Sequence, residues 1–374
     1  MLASLTLARI AFGMQLQTVA ALAPMLERAF GIDYATLGTL IGLYMAPGIV
    51  VAMASGLLGR RLGEGPVLGV GLALMTLGSC VSSLLPGTFG IGVGRLVAGT
   101  GAVTLSVLLG KIVADAFAGP RFVLAMGITV GAFPVGVGLS QAVMPAMAEA
   151  FGWRVALLAG AALSGVATLL FVVSFRGGDA PGPRHFALPS PRECLLVLLA
   201  GLVWTTYNAA YFGFLSYGPS LLSVRGAGAG ETAVVMTLAT WPNVVAVLLG
   251  SAAAPRLGLM RLFNIGTAAQ VLSLLGFVLW DRPVLTALVF GTLGSVHSGV
   301  IMAVGTLSAR PQHRAVGMGV FYTTYYIGGA LFPALCGQAA DHFHTPAAAL
   351  LAAAALSVPA LPLFWWHQRR APRP

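Results

Sequence analysis

The sequence contains very little charge. Only 8% of its 374 residues are charged, against about 25% in an average soluble protein. Just 10 residues are acidic, whereas 58% of all residues are hydrophobic. A soluble fold of this length needs more charge to cover its surface, but lipid solvates apolar side chains without any. The composition therefore predicts a membrane protein.

Catalytic and metal-binding motifs are also missing. The sequence has no phosphate loop of the form G-x-x-x-x-G-K, no H-E-x-x-H and no Cys/His cluster with metal-ligand spacing. The three cysteines, Cys80, Cys194 and Cys336, lie in or beside apolar runs, which favours buried free thiols over a disulfide framework. We therefore expect no enzyme, no cofactor and no metal, and we expect any driving energy to come from gradients.

Long apolar runs fill almost the whole chain. A helix needs about 20 apolar residues to cross the hydrocarbon core of a bilayer, and the sequence has twelve such runs. We expect an all-α membrane protein of twelve transmembrane helices. The approximate span cores are 4–26, 36–58, 66–86, 89–112, 122–147, 154–175, 195–222, 232–253, 262–280, 284–308, 315–339 and 346–366.

The basic residues are distributed unequally between the two sides of the membrane. With the amino terminus inside, 14 of the 20 Lys and Arg residues fall on cytoplasmic segments, 4 fall on external loops and 2 lie within spans. Because Lys and Arg accumulate on the cytoplasmic side, this predicts a multi-pass protein of the cytoplasmic (inner) membrane with both termini inside. Basic residues form no continuous face, so nucleic acid is not an expected partner, and we expect a monomer.

The chain divides into two halves at its longest polar interruption. Pro, Gly and charge are concentrated at 176–193, which we expect to be a cytoplasmic linker between an amino-terminal six-helix bundle, 1–175, and a carboxyl-terminal bundle with a short tail, 194–374.

Helix breakers recur in register between these halves. A shift of 195 residues superposes five pairs, which are Pro24 on Pro219, Pro47 on Pro242, Arg61 on Arg256, Leu62 on Leu257 and Gly63 on Gly258. A looser echo relates Pro134 in the fifth span to Pro333 in the eleventh. Two halves with an even number of spans and the same orientation predict parallel, pseudo-symmetric repeats about an axis along the membrane normal.

Two short motifs resemble signatures of the major facilitator superfamily. Gly56-Leu57-Leu58-Gly59-Arg60-Arg61-Leu62-Gly63 resembles its loop signature after the second span, with Arg60 where the family usually has an acid. Arg95-Leu96-Val97-Ala98-Gly99-Thr100-Gly101 resembles its fourth-span signature. The resemblance covers essentially the whole chain, and the opening segment is most similar to the cyanate and nitroimidazole-type branch. It implies the major facilitator fold, with a central cavity lined by the first, fourth, seventh and tenth spans.

Two arginines lie within these lining spans. An ionisable group inside the bilayer is costly, so each is a candidate functional residue. Arg9 is expected either to meet the solute or to extend to the inner headgroups as an anchor. Arg95 is expected either to offer its guanidinium to a carboxylate or similar planar anion, or to bond backbone carbonyls as a structural residue.

Other polar residues are candidates for the same cavity. His297 is expected either to carry a proton or to donate, as a neutral ring, to a facing carbonyl. Of Gln15 and Gln17, at most one should face the cavity, and Gln15 is the candidate. Tyr207, Asn208 and Tyr211 form a polar and aromatic patch on the seventh span that suits cavity lining, although it also suits packing.

Prolines inside spans and the repeated loop arginines are candidates for gating. Such prolines bend helices and free backbone carbonyls, although they also shape packing. The candidate residues are Pro47, Pro134, Pro242, Pro333, Arg61 and Arg256.

The candidates together predict a secondary active or facilitative transporter of a small organic or inorganic anion. Arginines within spans attract anions, and no Asp or Glu lies deep in a span. Facilitated diffusion, anion exchange and proton symport through His297 all stay open. The alternative is an exporter of drug-like uncharged or cationic solutes, because Pro134-Val135-Gly136-Val137-Gly138 partly resembles an efflux signature.

Overall fold

The structure is a computed structural model that describes residues 1–117, 120–175, 189–310 and 313–371. Regular structure in these ranges is helical, with no β-strand among them. The predicted linker at 176–193 lies outside the described residues except for 189–193.

The helices begin and end as follows, in chain order. They are α1 (Leu2–Ala21), α2 (Ala23–Phe30), α3 (Tyr34–Gly42), α4 (Gly48–Leu62), α5 (Glu64–Leu84), α6 (Gly87–Ala116), α7 (Pro120–Phe151), α8 (Trp153–Ser174), α9 (Pro191–Val224), α10 (Ala229–Thr240), α11 (Pro242–Leu257), α12 (Leu259–Leu279), α13 (Pro283–Gly291), α14 (Ser298–Leu307), α15 (Arg314–His342), α16 (Pro346–Ser357) and α17 (Ala360–Arg370), with a 3-10 turn at Leu293–Ser295.

The helices account for the predicted spans. Within the described ranges, 9 helices or joined helix pairs are long and apolar enough to cross a membrane, and a tenth span results if α1 and α2, bent by 50°, count as one. The remaining two predicted runs, 36–58 and 315–339, correspond to the broken pair α3 and α4 and to the 29-residue helix α15. Twelve spans are therefore consistent with the fold.

The chain forms two compact units. The first comprises Met1–Ile32 and Thr39–Pro183, and the second comprises Asp33–Gly38 and Arg184–Pro374. In the first unit, α1 packs against α7 and α8 while α5 packs against α6 and α8. In the second, α9 packs against α15, α16 and α17.

The short segment Asp33–Gly38 is held within the second unit by hydrogen bonds at the start of α3. The Asp341 carboxylate accepts the backbone N–H groups of Tyr34, at 2.9 Å, and of Ala35, at 2.8 Å. Asp341 thus satisfies two of the amides that a helix leaves unpaired at its amino end.

Corresponding elements of the two units have the same local geometry. Helices α5 and α12 are both 21 residues long and begin 195 residues apart. The glycines before them, Gly63 and Gly258, share a backbone conformation, with φ 89° and ψ 141° in one and φ 81° and ψ 141° in the other. This conformation is open essentially to glycine alone. The repeat that the prolines predict is therefore also present in the backbone.

Helix breaks follow the repeat as well. Pro47 directly precedes α4, and Pro242 is the first residue of α11, so the second span of each unit is interrupted at the matching proline. Proline causes a break there because it lacks an N–H and its ring clashes with the preceding turn. Pro134 and Pro333 instead lie inside the continuous helices α7 and α15.

We predict that replacing Gly63 or Gly258 by alanine destabilises the protein by about 1–3 kcal/mol, because a side chain strains a backbone of positive φ. Thermal unfolding of the purified variants in detergent measures the effect. Gly110→Ala is the control, since Gly110 lies in α6 with open space around it. Equal melting temperatures for the Gly63→Ala and Gly110→Ala variants would contradict the prediction.

Candidate functional site

Arg95 lies at the centre of a hydrogen-bond network in the first unit. Its side chain is on α6 and the residue is only 3% exposed. One terminal nitrogen donates to the Gln15 carbonyl at 3.2 Å, and the other donates to the carbonyls of Leu16 at 3.1 Å and Ile41 at 2.9 Å. The guanidinium also lies 4.9 Å from the centre of the Tyr44 ring. This geometry matches the second of the two roles expected for Arg95, that of a structural residue bonded to backbone carbonyls.

The side chain of Gln15 extends the same network to α8. Its amide nitrogen donates to the Gly160 carbonyl at 3.0 Å and the Ser164 hydroxyl at 2.9 Å, while its oxygen accepts the Tyr44 hydroxyl at 3.2 Å. Gln17 is equally buried, at 3% exposed. Sequence reasoning missed Tyr44, although it is a polar group within an otherwise apolar run.

Arg9 has a different environment from Arg95. It is the eighth residue of α1 and is half-buried. Its guanidinium lies 5.0 Å from the centre of the Phe12 ring and 5.1 Å from that of Phe133, and it donates to the Ser106 hydroxyl at 3.0 Å. Two aromatic faces thus orient the charge by cation–π attraction, while the side chain keeps an accessible surface.

His297 lies at a break in the tenth span. Helix α13 ends at Gly291 and α14 begins at Ser298, so His297 caps α14 instead of lying within a continuous helix. The residue is 0% exposed, and its Nε2 shares a hydrogen bond with the Thr267 hydroxyl at 3.3 Å. The rings of Tyr207 and Phe263 contact it edge-on, with centroids 4.9 and 5.2 Å away.

The predicted patch on the seventh span is buried within the second unit. Tyr207, Asn208 and Tyr211 are 3%, 6% and 7% exposed. The Asn208 amide donates to the Trp204 carbonyl of its own helix at 2.7 Å. Tyr211 stacks on Phe290, with the centroids 6.3 Å apart. These contacts are packing contacts within the unit.

A more accessible aromatic cluster lies beside this patch. Trp204 and Tyr325 are both only partly buried, and their ring centroids are 6.2 Å apart. Trp204 also stacks on Tyr207 at 5.2 Å. A tryptophan in an apolar helix is a weak signal by itself, since it more often serves packing.

The candidate gating residues occupy matching positions. Arg61 and Arg256 are exposed, each within two residues of the end of α4 or α11. In the described residues, no group of three or more His, Cys, Asp or Glu side chains has the geometry to hold a metal ion.

The membrane-spanning helices and the repeated elements of the two units define a multi-pass helical membrane protein. Residues 5–333 match the family model of the Major Facilitator Superfamily, so the chain belongs to that family. The members of this family are transporters and not enzymes.

Known proteins of this kind are similar to the chain over part or all of its length. It is 29% identical to Protein spinster homolog 3 of Danio rerio over 210 residues, which are 53% of the chain and 42% of that protein. It is 28% identical to the inner membrane transport protein YajR of Escherichia coli K12 over 148 residues, 38% of the chain and 32% of that protein. The matches therefore span less than half of either relative.

Solved structures share the fold over the whole chain. A bacterial homologue of the human lysosomal transporter Spinster superposes with a TM-score of 0.77 at 14% identity, covering 99% of this chain and 96% of that one. A mutant of the nucleoside transporter NupG superposes with a TM-score of 0.79 at 14% identity, covering 98% of both chains. At this identity the likeness establishes the fold alone.

We predict that Arg95→Met lowers the free energy of unfolding by about 1.5–3 kcal/mol, the contribution of hydrogen bonds to a charged group. Thermal unfolding measures this change, with Arg28→Met as control, because Arg28 is exposed and its hydrogen-bond partner among the described residues is the Pro24 carbonyl of its own helix. A melting temperature unchanged in Arg95→Met would show that the three carbonyl contacts do not stabilise the fold.

Proposed function

We propose that this chain is a secondary active or facilitative transporter that moves a small organic or inorganic anion across the membrane by alternating access. One observation carries the proposal: Arg9 presents a half-buried guanidinium inside the first span, held by two aromatic rings and a hydroxyl. A transporter that binds an anion in the membrane needs such a fixed, partly accessible positive charge.

The position of the acidic residues supports the same proposal. Within the described ranges, each Asp and Glu lies in a loop or within three residues of a helix end. Arg9, in contrast, lies about 10 Å along α1 from its first residue, at the usual rise per residue. The interior of the spans therefore carries positive charge without deep negative charge, which attracts anions and repels cations.

The chemistry of arginine suits this role. A guanidinium offers planar, paired donors that match a carboxylate or an oxyanion. The Phe12 and Phe133 rings restrict its orientation, so that less conformational freedom is lost when an anion binds. We assign solute recognition in the first unit to Arg9, with Gln15 and Arg95 supporting the helices around it.

For coupling, we infer that exchange of one anion for another, or facilitated diffusion, fits better than proton symport. Histidine is the side chain whose ordinary pKa lies near neutral pH, yet His297 is enclosed by Thr267, Tyr207 and Phe263. A charged imidazole there would lose its hydration without a carboxylate among its described contacts, which strongly favours the neutral ring. We therefore assign it to holding the broken tenth span.

A second candidate is an exporter of drug-like uncharged or cationic solutes. The observation that favours it is the partly buried pair Trp204 and Tyr325, since aromatic faces bind both apolar and cationic molecules. Transport of a lipophilic cation that fails in Trp204→Ala but persists in Arg9→Gln would select this candidate over the anion transporter.

The family and the apolar helices make the chain a multi-pass membrane protein. We further propose that it resides in the cytoplasmic membrane as a monomer with both termini in the cytoplasm. The bias of basic residues supports this orientation, and the bacterial relative YajR is named as an inner membrane protein.

We predict that Arg9→Gln reduces anion flux at least tenfold, because the loss of a charged partner costs about 1.5–3 kcal/mol. Arg9→Lys should retain part of the flux, since lysine keeps the positive charge but lacks the planar, paired donors of the guanidinium. The measurement is uptake of radiolabelled carboxylates and inorganic oxyanions into proteoliposomes, with and without an opposing anion inside. Arg28→Gln is the control. Unchanged flux in Arg9→Gln would refute the assignment of Arg9.

For His297, we predict that His297→Asn leaves the pH profile of transport unchanged, although its maximal rate falls as the contact with Thr267 weakens. The profile is measured in the same vesicles between pH 5 and 8, the range about the ordinary pKa of histidine. A profile that becomes flat in His297→Asn would instead assign a transported proton to this ring.

A further inference from the structure

The first unit contains a small cavity beside Arg95. Its volume is about 20 Å³, above the roughly 10–15 Å³ that a single water-sized occupant needs. Helices α1, α5, α6 and α8 bound it together with Tyr44. The polar residues of its lining are Gln15, Thr18, Tyr44, Ser79, Ser82 and Arg95.

Most of the polar groups in this lining are already committed to other partners. Thr18 donates to the Met14 carbonyl at 2.6 Å, and Ser82 donates to the Ile91 carbonyl at 3.3 Å. Gln15 and Tyr44 are bonded as described above. The cavity therefore offers few free hydrogen-bonding groups, and their identity determines what it can hold.

The uncommitted group is a donor. The Nε of Arg95 is buried and has no hydrogen-bond partner in the described part of the chain. The Ser79 hydroxyl also lines the cavity, in a residue that is 8% exposed. A buried donor without a partner costs free energy, so the Arg95 Nε favours an occupant that accepts hydrogen bonds, and the Ser79 hydroxyl can donate to the same occupant.

The charge of Arg95 selects between such occupants. Its hydrogen-bond partners among the described residues are neutral carbonyl oxygens, and no carboxylate is among them. A buried charge is expensive unless an opposite charge accompanies it. Water would accept the hydrogen bonds but would leave the charge of Arg95 uncompensated. An anion accepts the hydrogen bonds and also neutralises the charge. A volume close to that of one water molecule favours a monatomic anion over carboxylates and oxyanions with several heavy atoms.

We propose that this cavity binds one monatomic anion, of the halide class, between Arg95 and Ser79. The anion neutralises the buried guanidinium and stabilises the first unit. This site is separate from the proposed transport function, because Arg9 does not line the cavity. The halide is a resident ligand and not the transported solute.

The test compares two Gly→Ala variants on α8. An alanine methyl at Gly160 would lie 3.4 Å from Gln15 Cγ and 3.8 Å from Ser79 Oγ, in ordinary contact, and would occupy the cavity. Gly165→Ala is the matched control, because its methyl would meet Thr76 Cγ2 at 3.5 Å, away from the cavity lining. Alanine favours a helix over glycine, so both variants should fold.

The melting temperature of the purified full chain is measured against chloride and against bromide, with gluconate keeping the ionic strength constant. We expect it to rise with halide and saturate in the unmodified protein and in Gly165→Ala, because a ligand stabilises the state that binds it. The rise should be lost in Gly160→Ala. In Ser79→Ala the halide midpoint should increase about tenfold, as one hydrogen bond to a charged ligand is removed.

Two results would overturn the proposal. Equal melting temperatures in chloride and gluconate would mean that water occupies the cavity, and an undiminished halide response in Gly160→Ala would place the halide elsewhere. Crystals grown in bromide give a direct readout, since an anomalous peak between Arg95 and Ser79 is expected. Anion flux in vesicles tests Arg9 and is independent of all these outcomes.

Discussion

The structure depends on satisfying one buried guanidinium within the membrane. Arg95 is only 3% exposed, so its charge needs partners inside the protein. It finds them in backbone carbonyls of α1 and α3, which fixes two helices against α6 at one point. Since Gln15 and Arg9 are six residues apart on α1, the same contact sets where the more accessible guanidinium lies.

The two units share a backbone plan but use different chemistry within it. The shift of 195 residues that aligns Gly63 with Gly258 also aligns Arg95 with Phe290. Phe290 packs against Phe214, with the centroids 4.6 Å apart, so an aromatic contact occupies the position of a polar network. The charges that we propose to select a solute therefore lie in the first unit, and the second unit has an aromatic contact at the position that corresponds to Arg95.

Much of the fold could be predicted from the sequence, because long apolar runs and repeated prolines are direct consequences of the bilayer and of duplication. The hydrogen-bond partners of the polar residues could not be predicted from the sequence. Backbone carbonyls have no sequence signature, so nothing distinguished a structural Arg95 from one facing the solute. Ser106, 97 residues from Arg9, meets it only through helix packing. The helix break before His297 contains no proline, so the sequence did not predict it either.

A structure determined with a transported oxyanion that carries an anomalous scatterer, such as selenate, tests the central claim most directly. The account predicts a peak within hydrogen-bond distance of the Arg9 guanidinium, in addition to any halide beside Arg95. A peak remote from Arg9, or transport without any ordered anion near it, would contradict the assignment of this protein as an anion transporter that binds its solute at Arg9.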